Sequence, residues 1–105
     1  MNTPDSRDYP VPKTNGMLIV RRLPNQWQSF FGGRKWKHAI IHVPTDYGII
    51  AVLLKQDAVR IAQELYAKIP LKDWRTSDVD AINRLLFKRV KKWLLEEAKN
   101  TDNVF

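Results

Sequence analysis

Apolar residues change their spacing midway along this chain, from short clustered runs before residue 55 to a helical three-and-four repeat after it. Met17 to Leu23 (MLIVRRL) is rich in branched apolar residues and predicts a first strand, ended by Pro24. Trp27 to Phe31 and Arg34 to Val43 predict the two arms of a hairpin, because Gly32-Gly33 supplies the positive φ values of a two-residue turn. Pro44, Asp46 and Gly48 each favour a turn. Ile49 to Leu54 is uninterrupted apolar sequence, which predicts a strand covered on both sides or central in the sheet.

In Asp57 to Ile69, residues Ala58, Ile61, Ala62, Leu65 and Ile69 recur at helical spacing, and Pro70 ends the helix. A second helix starts at Ser77, with Asp78 and Asp80 favourable at its positive end, and runs to about Lys99. Val79, Ile82, Leu86, Val90, Trp93 and Leu94 form its buried stripe. The order β-β-β-β-α-α predicts an α+β fold: a three- or four-stranded antiparallel meander followed by two α-helices packed on one face. Residues 16–100 form the single domain in this reading. Residues 1–15, polar and proline-broken, read as a flexible N-terminal tail, and 101–105 as a C-terminal tail.

Composition narrows the function. The 105 residues suit one domain, and 44% apolar content is enough for a core. Eighteen Lys and Arg against eleven Asp and Glu leave a net charge of +7, which favours nucleic acid, an anionic membrane surface or an acidic protein as partner. With no cysteine there is no disulfide, thiolate nucleophile or cysteine-type zinc site. The first fifteen residues contain no apolar signal core, and no run approaches the ~20 apolar residues of a membrane span, so a cytoplasmic location is the default.

No catalytic constellation is legible, and no cofactor is predicted. Gly16, Gly32, Gly33 and Gly48 build no phosphate loop. His38 and His42 share a strand face but lie about 13 Å apart at ~3.3 Å per residue, too far to hold one metal. Ser6, Ser29 and Ser77 lie in no nucleophile-elbow sequence. The chain reads as a binding protein, not an enzyme.

Two features point to nucleic acid. In the predicted hairpin Phe31 faces Arg34, Ser29 faces Trp36 and Trp27 faces His38, so Trp27, Phe31, Arg34, Trp36 and His38 share one face. Lys35, Lys37, Ala39, Ile41 and Val43 lie on the other, predicted to face the helices. Flat rings interleaved with cations suit single-stranded nucleic acid, though the same aromatics also suit a core. On the last helix Arg84, Lys88, Lys91 and Lys92 fall within an arc of ~100° opposite the apolar stripe, as phosphate ligands or as a solvated face. With Arg21 and Arg22 on the neighbouring strand, the hairpin residues form the expected DNA or RNA contact surface, which the helix cations join if they lie on the same side of the sheet and otherwise leave as a second basic patch. The alternative is an interaction module for an acidic protein or for self-association, favoured by Trp27, Trp36, Trp74 and Trp93. Trp74, between the helices, reads as an exposed anchor or as a plug closing the core.

Overall fold

The computed structural model describes residues 8–23 and 37–102. Strands β1 (Asp8–Pro10), β2 (Leu18–Arg22), β3 (His38–His42) and β4 (Tyr47–Val52) form one antiparallel sheet in the order β1-β2-β3-β4. Helices α1 (Lys55–Ala67), α2 (Leu71–Trp74), α3 (Val79–Arg89) and α4 (Lys91–Asp102) follow. The fold is therefore α+β, a β-meander followed by helices.

Alternation along the strands places Leu18 and Val20, Ile40 and Val52 on the covered face, where they meet Ala58, Ile61, Ala62 and Leu65 of α1. These side chains are almost fully excluded from water. Ile82, Leu86, Val90 and Leu94 of the last two helices complete the same core. Trp74 is its plug: its relative exposure is 0%, its indole N–H donates to the Tyr66 carbonyl at 3.1 Å, and its ring stacks on Tyr66 at 6.0 Å.

Several expectations need correction. Residues 8–15 do not behave as a tail. Asp8, Tyr9 and Pro10 pair with Arg21, Val20 and Ile19, Val11 is buried, and Thr14 Oγ1 donates to the Val11 carbonyl at 2.8 Å. Gln63 Nε2 also donates to the Pro12 carbonyl, at 3.0 Å. This stretch is held by individual hydrogen bonds and one apolar anchor, so it carries no period to read. His38 pairs with Arg22 on one side and Val52 on the other. The predicted partners 27–31 and the Gly32-Gly33 turn themselves lie outside the described residues.

The faces of β3 are the reverse of the prediction. Ile40 and His42 point to the helices, whereas Ala39 and Ile41, although buried, belong to the opposite face. Among the described residues β4 is a terminal strand and not a central one. A register shift between Ile40 and Ile41 inserts an extra residue, so both Ile49 and Ile50 reach the core from a strand covered by helices on one face. That accounts for the unbroken apolar run.

The last helix is two helices. Val90, with φ −134° and ψ 0°, separates α3 from α4, although Leu86, Val90 and Leu94 stay on one buried stripe. A straight helix would align Arg84, Lys88 and Lys92 at i,i+4 spacing, a like-charge ladder that destabilises it, and a β-branched residue is a weak helix former at the break. The N-cap of α3 is Asp78, whose side chain accepts from the Asp80 N–H at 3.0 Å, and not Ser77.

Candidate nucleic-acid interface

Three cations converge where β2 ends, β3 begins and α1 starts. Arg22 closes β2, Lys37 precedes β3, and Lys55 opens α1. Leu23 N–H donates to the Lys37 carbonyl at 2.8 Å, and Lys37 N–H to the Val52 carbonyl at 3.1 Å, which fixes this corner of the sheet. His38 registers the shared field. Burial lowers its pKa first, and the positive charges of Arg22, Lys55 and Lys37 push the same way against a hydrogen bond to the Leu53 carbonyl at 3.1 Å. Lys55 Nζ lies 4.0 Å from the centre of the Tyr9 ring. None of the three cations has an acidic partner among the described residues.

Other expected contacts fall elsewhere. Arg21 is engaged: its Nε bonds Asp8 Oδ1 at 2.8 Å, its Nη2 bonds Asp8 Oδ2 at 3.2 Å, and its Nη1 bonds Asp46 Oδ1 at 3.2 Å. The hydrogen bond to Asp8 raises its pKa and makes it a clamp between β1, β2 and the β3–β4 turn. His38 points to the helix-covered side, half-buried, so it is no part of an open stacking face. Trp27, Phe31, Arg34, Lys35 and Trp36 lie outside the described residues; the chain leaves at Leu23 and returns at Lys37, at the cationic corner.

The helix cations occupy the far end of the fold. Lys68 Nζ sits 4.7 Å over the Trp93 ring and Arg60 Nη2 contacts Glu97 at 3.1 Å, so α4 runs antiparallel to α1. Lys91 and Lys92 are thus near the end of α1 opposite Lys55, about 20 Å away at ~1.5 Å rise per residue. Tyr47 Oη donates to Asn83 Oδ1 at 2.8 Å and ties α3 to the same far end. Arg84 and Lys88 are exposed there, Arg84 Nε donating to the Asp80 carbonyl at 3.3 Å, and Lys91 Nζ stands 4.1 Å over the Phe87 ring. Of the two arrangements the sequence leaves open, the described cations take the one with two separate patches.

His42 is a structural residue. Its Nε2 meets the Trp74 carbonyl at 2.5 Å, so that nitrogen carries the proton; its Nδ1 then accepts from the Thr45 hydroxyl at 2.7 Å. The Thr45 oxygen in turn accepts the Tyr47 N–H at 3.2 Å. Burial holds the His42 pKa below its ordinary value, opposed by the bond to Trp74.

Sequence reasoning missed Lys55 and Tyr9. The apolar repeat of α1 begins at Ala58, so the helix start was read two residues late, and Tyr9 lay within the presumed tail. No protein-family model, curated protein or solved structure matches the chain.

Proposed function

We propose that the chain is a small non-catalytic nucleic-acid-binding domain whose phosphate contacts centre on Arg22, Lys37 and Lys55. The observation that carries this reading is their convergence from three separate elements on one corner, none of them in an ion pair with an acid among the described residues. Two of the positions, Arg22 and Lys37, are set by hydrogen-bonded backbone at the sheet end. Such an array attracts phosphates spaced along a strand and releases counterions as it binds. Asp57, the acid in the first turn of α1, acts on Arg60 further along the helix. Arg84, Lys88, Lys91 and Lys92 are a separate surface in this reading.

The test is fluorescence anisotropy with labelled single- and double-stranded DNA and RNA between about 50 and 300 mM salt. Three phosphate contacts give a slope of log K against log salt of about −2 to −3. Lys37→Ala with Lys55→Ala should flatten it by about 1.5, and Lys88→Ala with Lys92→Ala should leave it unchanged. Absence of binding at the lowest salt, or a slope that responds only to the helix pair, would overturn the proposal.

A further inference from the structure

The geometry points to a second binding surface: the cleft between β4 and the α3–α4 pair takes an extended acidic, apolar-alternating segment of a partner protein, added as a strand to β4. This inference does not rest on the nucleic-acid reading. The cleft has a volume of about 230 Å³ and lies beside β4, which contributes Tyr47, Ile49 and Ile50 to its wall. Phe87 and Leu95 line the other side while remaining 62% and 57% exposed, the highest values among the exposed large apolar residues described. Core packing does not account for two such side chains in one cleft, and contiguous exposed apolar surface marks interaction sites.

The adjoining strand has an outer edge. β4 pairs with β3 alone among the described residues, so the backbone groups along its other side have no strand partner there. Terminal strands are usually blunted by brevity, proline, lysine or a bulge, of which β4 has the bulge alone. β1, at the far edge, has three residues and Pro10; β4 has six residues, Tyr-Gly-Ile-Ile-Ala-Val, with neither lysine nor proline. Its one irregularity lies near the middle, where Ile49 is inserted opposite Ile40 and Ile41, and Ile50 to Val52 continue in regular register. A strand added here gains main-chain hydrogen bonds, and its alternate side chains, about 6.6 Å apart on one side, descend into the cleft. The volume is below the ~300–1,000 Å³ of small-molecule sites and suits a few apolar side chains.

Charge selects the occupant. Lys91 is the one ionisable cation on the cleft wall, with Lys88 and Lys92 exposed beside it in sequence. A second copy would bring these cations, on a chain of net charge +7, against their own equivalents. Acidic residues on the outward positions of an incoming strand meet them favourably.

The test uses the isotopically labelled full chain, titrated with an acetylated peptide of about eight residues alternating valine or leucine with glutamate, and with its lysine counterpart. Amide shifts confined to residues 47–52 and 83–95 are expected with the glutamate peptide, and about tenfold weaker binding with the lysine one. Phe87→Ser with Leu95→Ser should abolish the shifts and leave the thermal midpoint of this largely exposed pair nearly unchanged. No shifts up to about 1 mM peptide, or shifts spread over the whole sheet, would overturn the inference. So would concentration-dependent dimerisation in sedimentation that the same variant abolishes, which makes the occupant a second copy. Displacement of the peptide by a short oligonucleotide contacting these amides would assign the cleft to nucleic acid instead.

Discussion

Replacing Trp74 by alanine removes the largest fully buried side chain among the described residues. The loss has two parts: the transfer of the indole out of the core and the cavity left among Tyr66, His42 and the surrounding aliphatics. Buried Trp→Ala changes cost about 3–5 kcal/mol, and the indole N–H bond to the Tyr66 carbonyl at 3.1 Å is lost with them. Against a total stability of about 5–15 kcal/mol this is a large fraction. At roughly 4–8 °C per kcal/mol for a domain of this size, the midpoint should fall by about 12–40 °C. Trp74→Phe keeps much of the ring contact and loses the donor, so about 1–2 kcal/mol is expected. Equilibrium unfolding in guanidinium, followed by far-ultraviolet circular dichroism, measures both, with exposed Leu95→Ala as a control within about 1 kcal/mol. A Trp74→Ala loss below about 1.5 kcal/mol would refute the plug and return this residue to the surface-anchor reading.

Further outcomes follow from the same contacts. Arg21→Met removes a clamp that is about one third exposed, so a loss of about 1 kcal/mol or less is expected, with faster amide exchange confined to residues 8–17. Equal acceleration in β3 would show that the clamp does not act locally. His42 and His38 both have folded pKa values below their ordinary value of 6.5, so the unfolded chain binds more protons. Their contribution to stability is therefore present above pH 6.5 and lost as pH falls through the depressed folded values. Denaturation midpoints at descending pH should decline below 6.5, less steeply in His42→Gln; a flat profile in the unaltered protein contradicts the sign. Asp46 has φ +55°, in the left-handed region that asparagine tolerates and β-branched residues do not. Asp46→Val should cost about 1–2 kcal/mol in chemical denaturation and Asp46→Asn less than half of that; equal effects would assign the loss to the Arg21 contact instead of the backbone.

The corner cations were legible as residues and illegible as a site. Eighteen basic side chains against eleven acidic ones already demand an anionic partner or solvent, but only the register shows that Asp8 and Asp46 neutralise Arg21 while Arg22 beside it has no acidic partner among the described residues. Lys55 and Arg22 are 33 positions apart, and no local pattern connects them. Phe87 and Leu95 lie outside the predicted buried stripe, and only the placement of β4 beside them brings them into one cleft.

What the sequence by itself determined is what short-range physics controls. The branched run of β2 and the repeat of α1 stopped by Pro70 arise from preferences acting over a few residues. The same holds for the acidic start of α3 and the α+β order of the elements. Tertiary structure decided what depends on distant partners. It recruited residues 8–10 as a strand and turned Ile40 and His42, rather than Ala39 and Ile41, toward the helices. It also put β4 at an edge, bent the last helix at Val90, and sent the two groups of cations to opposite ends of α1. Strand parity reverses with a single residue of slip, and an edge exists only relative to the rest of the sheet. Helical periodicity likewise runs unbroken through a bend when both halves bury one stripe, so these features belong to the assembled fold and to no local stretch of chain.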